Sequence, residues 1–156
     1  MNTVYLGLGS NIEPEKNLQA ALQKLSHQRI NIYGLSSIWQ TEAVGSTGPA
    51  FLNAAARIGS EYSMDYLKEE ILCSIEASLG RVRTADKNAP RTIDLDILVF
   101  NEIIVDENIF HFDHLILPMA ELVPELTDDK TGKTLRELAY EHCCSPAAVK
   151  VGRLIY

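Results

Sequence analysis

Residues 92–100 read Thr-Ile-Asp-Leu-Asp-Ile-Leu-Val-Phe, a run that predicts a β-strand. Successive side chains of a strand point to opposite faces of its sheet. Ile93 and Leu95 therefore share one face and can anchor the strand in the core. Asp94 and Asp96 project together from the other face, with their Cα atoms roughly 7 Å apart. The strand thus presents two neighbouring carboxylates above an apolar anchor.

The segments that precede this strand predict the rest of an α+β fold. Ser63 is a plausible N-cap for a helix with an apolar residue at every fourth position, and Gly80 is placed to end that helix. An amphipathic helix is predicted to begin at Pro14. The apolar positions of the second helix are Leu67, Ile71, Ile75 and Leu79. Strands are predicted over Thr3–Leu8, Ile30–Gln40 and Phe51–Ile58.

The predicted element order is β-α-β-β-α-β, which is typical of a ferredoxin-like α+β sandwich, an antiparallel sheet with helices packed on it. Additions follow at the C-terminal end. Asn101-Glu102 predicts a turn into a short strand over 103–105. A capping box at Thr134–Glu137 predicts a last helix, and Val149–Ile155 predicts a final strand.

Length and composition bound the class of protein. The 156 residues, 46% of them hydrophobic, predict a single domain over residues 1–156. The formal charge of −7 argues against a nucleic-acid partner. No apolar run approaches the ~20 residues of a membrane helix, so we expect no membrane association. Three cysteines, two of them adjacent, favour a reducing cytoplasm over a disulfide framework. We expect a cytoplasmic monomer without a targeting segment.

A basic cluster precedes the strand. Residues 81–91 hold three arginines, one lysine and one aspartate, a charge of +3 in a chain whose remaining residues sum to −10. The planar guanidinium suits phosphate oxygens. A lone basic loop is more often a solvated surface, but this one lies directly beside the carboxylate pair. The cations are Arg81, Arg83, Lys87 and Arg91.

The carboxylate pair has both a structural and a functional interpretation. A lone Asp-x-Asp is common, and Asp94 and Asp96 could pair structurally with Arg81 or Arg91. Two carboxylates on one face also repel each other, and a shared Mg²⁺ relieves this repulsion. Mg²⁺ prefers one or two carboxylates together with waters and substrate phosphates. The adjacent basic cluster therefore predicts a metal-dependent nucleotide phosphate site.

Five segments together carry a resemblance to a known family. They are Leu8-Gly9-Ser10-Asn11, Phe51-Leu52-Asn53-Ala54-Ala55, Ile75-Glu76 with Leu79–Arg83, Pro90–Leu98, and Pro118–Leu126. In this order the chain resembles the 6-hydroxymethyl-7,8-dihydropterin pyrophosphokinase family over residues 3 to 138. The family fold is of ferredoxin-like type, which agrees with the element order.

The resemblance implies an ATP-dependent diphosphotransferase of folate biosynthesis. Pyrophosphate would pass from ATP to the hydroxymethyl oxygen of a reduced pterin, with release of AMP and a requirement for two Mg²⁺ ions. ATP and the pterin would be the only partners. The metal ligands would be Asp94 and Asp96, and these two would be catalytic together with Arg81 and Arg91. ATP-binding positions would be Glu76, Arg81, Arg83, Arg91, Ile97 and His111, and pterin-binding positions would be Thr41, Val44, Phe51 and Asn53.

Simpler interpretations exist for the pterin-side residues. Phe51 could be a plain core residue, and Thr41 could be only the end of a strand. Asn53 is a poor strand former among apolar neighbours, which favours a role in a site.

Two loops depart from the family pattern. Lys87-Asn88-Ala89 stand where the family often has Arg-Trp-Gly. The stretch 109–118 is several residues shorter than in the family and lacks its arginine and its pterin-stacking phenylalanine, for which Phe112 or His114 could substitute. A simpler interpretation makes His111 and His114 surface strand residues. An altered or weakly active relative, or one acting on another hydroxylated pterin, is therefore the alternative function.

Overall fold

The computed structural model describes residues 1–41, 49–82, 92–143 and 148–155. Seven strands and five α-helices occur in these residues, together with one π-helical and one 3₁₀ segment. The strands are β1 (Asn2–Ser10), β2 (Asn31–Leu35), β3 (Ser37–Thr41), β4 (Phe51–Ser60), β5 (Asp94–Phe100), β6 (Ile103–Ile104) and β7 (Ala148–Arg153). The helices are α1 (Pro14–Ser26), α2 (Met64–Tyr66), α3 (Cys73–Ser78), α4 (Asp113–Leu122) and α5 (Leu135–His142).

The strands form one sheet in the order β6-β5-β1-β4-β3-β7, and β2 pairs with β4 beside β3. All pairs are antiparallel. The predicted ferredoxin-like sheet with packed helices is therefore confirmed. The single strand predicted over Ile30–Gln40 is divided into β2 and β3 at Ser36. Ser36 leaves the strand path because its N–H donates to Ala55 O at 2.9 Å and its Oγ accepts from Ala55 N at 2.8 Å.

One face of the sheet, here called the first face, packs against α1 and the helical stretch 64–78. Its core contains buried leucines of α1 and apolar side chains from β1, β4 and β5. The predicted N-cap is confirmed, since Ser63 Oγ accepts from Tyr66 N at 3.3 Å. Gly80 has a φ of 87°, a left-handed conformation that ends the helix as predicted.

The middle of this helical stretch, Leu67–Leu72, is a π-helix. An α-helix has 3.6 residues per turn, so apolar side chains at a strict four-residue spacing drift around its axis. A wider π turn reduces that drift and keeps Leu67, Ile71 and Ile75 all buried on the first face. The four-residue spacing of apolar residues therefore predicted these buried positions correctly. It also predicted a regular α-helix, which the structure does not have at Leu67–Leu72.

The opposite face, here called the second face, is partly covered by α4 and α5. Ala55 and Leu98 of the sheet pack there with Ile116 and Met119 of α4 and with Leu138 of α5. The capping box at Thr134 is confirmed by its Oγ, which accepts from Glu137 N at 3.1 Å. Helix α4 was not predicted from the sequence, because Pro118 lies inside it.

The last predicted strand is observed as β7, paired with β3. Among the described residues, none of the helices has the length and apolar character of a membrane-spanning segment.

Candidate active site

Strand register places the two aspartates on the second face. Asp96 lies opposite Gly7 of β1, which in turn lies opposite Ala55 of β4, and Ala55 belongs to the core of that face. Directly opposed residues of an antiparallel pair share a face. Asp94, two residues before Asp96, lies opposite Gly9 in the same way. The shared orientation predicted for the two carboxylates is therefore confirmed.

The row that contains Asp94 continues across the sheet to the pterin-side candidates. Gly9 lies opposite Asn53, whose Nδ2 donates to Thr41 Oγ1 at 2.8 Å. Thr41, the last residue of β3, pairs with Phe51, the first residue of β4. Asn53 and Asp94 are two strands apart, about 10 Å. One face of three strands thus carries a buried amide on one side, a carboxylate on the other and a glycine between them.

Gly9 keeps the surface between these groups clear of side chains. A Cβ atom at Gly9 would lie 3.1 Å from Asn53 Oδ1, closer than ordinary van der Waals contact. A larger residue would displace the amide.

Trp39 also lies on this face, directly opposite Asn53, and donates from Nε1 to Glu121 Oε1 at 3.0 Å. Sequence reasoning singled out neither Gly9 nor Trp39 individually, because only the strand register brings them beside Asn53.

Arg81 reaches the carboxylates from the end of the helical stretch. Its Nη1 donates to Asp94 Oδ1 at 2.6 Å and also contacts Glu76 Oε2. Its side chain is 12% exposed, so both ion pairs are largely shielded from water. Of the alternatives left open by the sequence, pairing of Asp94 with Arg81 is observed.

Glu76 lies beneath the site rather than on its open surface, with 4% of the residue exposed. Its carboxylate faces Arg81, and Leu95 N lies 3.4 Å from its Oε1. Ile97 is 6% exposed and belongs to the core of the first face, because it alternates with Asp96 along β5. The side chains of Glu76 and Ile97 therefore do not reach the open face, where contacts with the nucleotide were expected.

The electrostatics of the site favour a bound cation. Asp96 is exposed by surface area, but neighbouring protein restricts hydration of its carboxylate. Asp94 and Glu76 add negative charge, so the pKa of Asp96 is raised to about 7. Burial lowers the pKa of Arg81, but Asp94 and Glu76 outweigh it and the pKa is raised overall.

Two carboxylates with excess negative charge fit Mg²⁺, which needs few protein ligands when phosphates supply others. No group of three or more histidine, cysteine, aspartate or glutamate side chains suited to a metal occurs in the described part of the chain.

The segment after β5 runs back toward Asp96. Val105 N and Asp106 N both donate to Leu98 O, at 2.9 and 3.2 Å, and the charge of Asp106 contributes to the raised pKa of Asp96. A 3₁₀ helix, Glu107–Phe110, then leads to the exposed His111.

His111 ends this 3₁₀ helix and His114 lies in α4, so neither is a strand residue. The ring of Phe112 stacks on that of His114, with centroids 5.7 Å apart. Asp113, between them, contacts His142 Nδ1 of α5. Val44, Arg83 and Arg91 lie outside the described residues, so their predicted roles stay predictions.

Comparison with known proteins shows the family to which this chain is similar. The family model for 7,8-dihydro-6-hydroxymethylpterin-pyrophosphokinase matches residues 5–124. Relatives named 2-amino-4-hydroxy-6-hydroxymethyldihydropteridine pyrophosphokinase include one from Methylorubrum extorquens, 36% identical over 148 residues, covering 88% of this chain and 91% of that protein. The Bacillus subtilis relative of the same name is 38% identical over 128 residues, covering 80% and 72%.

A crystal structure of a Plasmodium falciparum HPPK-DHPS triple mutant with pteroate superposes with a TM-score of 0.70 at 13% identity, over 92% of this chain. This chain spans 43% of the length of that protein, and the likeness supports the fold alone.

A carboxylate pair beside an arginine suits the transfer of phosphate groups, because a metal ion and a guanidinium can offset phosphate charge. The chain belongs to the 7,8-dihydro-6-hydroxymethylpterin-pyrophosphokinase family. The family membership and the enzyme class predicted from the sequence motifs are therefore confirmed.

Proposed function

We propose that this chain transfers pyrophosphate from ATP to the hydroxymethyl oxygen of 6-hydroxymethyl-7,8-dihydropterin, releasing AMP, as a step of folate biosynthesis. One observation carries the proposal beyond family membership. Asp94, Gly9 and Asn53 form one row across three strands. The Asp94 carboxylate at one end suits a metal-bound phosphate, and the Asn53 amide at the other end suits the hydrogen-bonding edge of a pterin ring. The hydroxymethyl group of a pterin bound at Asn53 would extend over Gly9 toward the aspartates.

Asp94 and Asp96 are the residues that would hold Mg²⁺, and the resemblance implies two ions. When bound, Mg²⁺ neutralises phosphate charge and orients the phosphates for in-line attack. The protein contributes two negative groups on a rigid strand, so the positions of the ligands do not depend on a loop. The pKa of Asp96 is raised by restricted hydration and by the charges of Asp94 and Glu76, which supports a site where a bound cation would offset excess negative charge.

Arg81 is proposed to steady the phosphates, together with Arg83 and Arg91. In the reaction, the hydroxymethyl oxygen forms a bond to the β-phosphorus and loses its proton. The bond between that phosphorus and the α–β bridging oxygen breaks, and AMP carries away the negative charge. A guanidinium beside the bridging oxygen stabilises that developing charge, so we expect Arg81 and Arg91 to act more on turnover than on ATP affinity.

The pterin side is proposed to use Phe51 for the flat face of the ring and Asn53 for its edge. Asn53 is 6% exposed and oriented by Thr41, so its amide presents a fixed pattern of donor and acceptor. Val44 is expected to complete this side. His111, which ends the 3₁₀ helix after Asp106, is proposed to contact the nucleotide.

The remaining proposals concern the setting of the enzyme. ATP and the reduced pterin are its expected partners, with no nucleic acid or membrane, and we propose a cytoplasmic monomer.

The deciding experiment measures AMP formation from ATP and Mg²⁺ with and without 6-hydroxymethyl-7,8-dihydropterin, with the pterin diphosphate identified by mass spectrometry. Pterin-dependent AMP with a matching yield of the diphosphate is expected. Absence of the diphosphate, with the protein folded, would refute the proposed reaction.

A further inference from the structure

Glu76 is a buried carboxylate that joins three parts of the site. Its side chain is 5% exposed, contacts Arg81 Nη1 through Oε2, and has Leu95 N 3.4 Å from Oε1. Its own carbonyl oxygen accepts from Arg81 N at 3.1 Å. Glu76 thus holds both ends of Arg81 and touches the backbone of β5 between the two aspartates.

The two carboxylates that share Arg81 Nη1 differ in their surroundings. Glu76 is a buried residue of α3 and faces β5. Asp94 has 19% of its side chain exposed and lies on the open face beside Asp96. Asp94, Asp96, Glu76 and Arg81 together carry a formal charge of −2. A divalent cation held by Asp94 and Asp96 competes with Arg81 for Asp94 Oδ1 and repels the guanidinium.

We propose that Glu76 is a positioning residue that retains Arg81 beside β5 when a divalent cation takes over Asp94, so that the guanidinium exchanges one carboxylate for substrate phosphates without leaving the site. The identity of those phosphates rests on the proposed function. Displacement of Arg81 from Asp94 requires only the cation, and no phosphate. Glu76 therefore acts through Arg81, and not as a direct contact of the nucleotide.

A double-mutant cycle on metal binding tests this coupling without catalysis. Mn²⁺ affinity is measured by electron paramagnetic resonance, without nucleotide, for the unmodified protein, Glu76→Gln, Arg81→Met and the double variant. Without the Glu76 charge, Arg81 remains on Asp94, so Glu76→Gln should weaken Mn²⁺ binding at least ~10-fold. In the Arg81→Met background the same change should weaken it by no more than ~3-fold, the general effect of one lost negative charge.

Glu70→Gln is the matched control, because it removes the same charge from an exposed position of the same helical stretch. It should leave Mn²⁺ affinity within ~2-fold, as expected for a solvated charge. Equal losses from Glu76→Gln in both backgrounds would overturn the proposal, and so would no loss in either. Failure of the pyrophosphoryl-transfer assay leaves this metal-binding cycle measurable, so the two failures are distinguishable.

The unmodified protein gives a second measurement if Glu76→Gln does not fold. With ¹⁵N-labelled arginine, the guanidinium protons of Arg81, assigned with Arg81→Lys, should stay protected from exchange when Mg²⁺ is added. This is expected because Glu76 keeps the guanidinium in place. Loss of that protection on addition of Mg²⁺ would overturn the proposal.

Discussion

Asn53 Nδ2 donates a hydrogen bond to Thr41 Oγ1 at 2.8 Å, from one strand to the next on the open part of the second face. Asn53 is buried, and a buried amide is costly to leave without a partner. The bond therefore fixes the orientation of the amide, which is the orientation that the proposed pterin would meet. Thr41 acts here as more than the end of a strand.

Thr41→Val should reduce pterin affinity about 10-fold, because it removes the acceptor that orients the Asn53 amide. ATP affinity should stay unchanged, since β1 and β4 separate Thr41 on β3 from the aspartates on β5. Calorimetry with the pterin and a non-hydrolysable ATP analogue measures both. Thr3→Val, the same substitution at the opposite end of the sheet, is the control and should alter neither. An equal loss for both ligands in Thr41→Val would contradict this assignment.

Gly9→Ala should weaken pterin binding by about 10-fold or more, because the new Cβ lies 3.1 Å from Asn53 Oδ1 and pushes the amide out of position. Gly34→Ala is the control, as its Cβ would meet Leu122 Cδ2 at 3.5 Å and Arg57 Cβ at 4.0 Å, both ordinary contacts. Both variants place alanine in a strand, so their stabilities to urea should be comparable. The idea fails if Gly9→Ala binds pterin as tightly as Gly34→Ala does.

Asp96→Ala should lower turnover at least ~100-fold, about 2.7 kcal/mol of barrier, because it removes one of the two proposed metal ligands. Activity should also be strictly dependent on Mg²⁺. Asp129→Ala removes an equal charge from an exposed loop and should leave turnover unchanged. Near-normal turnover in Asp96→Ala would remove the carboxylate pair from the mechanism.

The raised pKa of Asp96, about 7, predicts a pH-dependent effect of Mg²⁺ on stability. A carboxyl group whose pKa is higher in the folded than in the unfolded state lowers stability as pH rises from about 4 to 7. Bound Mg²⁺ relieves this penalty, so the increase in Tm on addition of Mg²⁺ should be larger at pH 8 than at pH 6. Solvent contact of Asp96 screens part of the effect.

Asp96→Asn should remove most of this pH dependence, whereas Asp129→Asn should keep it. Thermal unfolding followed by circular dichroism at both pH values provides the measurement. A shift of equal size at both pH values in the unmodified protein would show that Asp96 does not control metal binding.

Phe112 is 49% exposed and stacks on His114 at the start of α4. Since the chain lacks the family's stacking phenylalanine in this shortened segment, we expect Phe112→Leu to weaken pterin binding about 10-fold, within the usual range for ring stacking. Tyr140→Leu, at an 82% exposed position of α5, is the control. Loss of nucleotide affinity alone would assign the Phe112 ring to ATP instead.

The core element order and the shared face of the aspartates followed from the sequence alone. Alternation along a strand is set by backbone geometry, so Asp94 and Asp96 had to project together once residues 92–100 were recognised as a strand. The helix cap at Ser63 and the stop at Gly80 are likewise local, because a hydroxyl acceptor and a residue that tolerates positive φ act within one turn.

Other features were decided by contacts between distant segments. Pro118 disfavours a helix locally, yet burial of Ile116 and Met119 against the sheet stabilises α4. Division of the second strand at Ser36 depends on its bonds to Ala55, nineteen residues away.

The site itself depends most on tertiary structure. The sequence left open whether Asp94 pairs with Arg81 and placed Glu76 beside the nucleotide, whereas the fold buries Glu76 beneath Arg81. Strand register alone brings Gly9 between Asp94 and Asn53. Residue types could therefore indicate the chemistry, but burial and register, which arise only when the whole sheet packs, determined which carboxylate faces solvent and which holds the arginine.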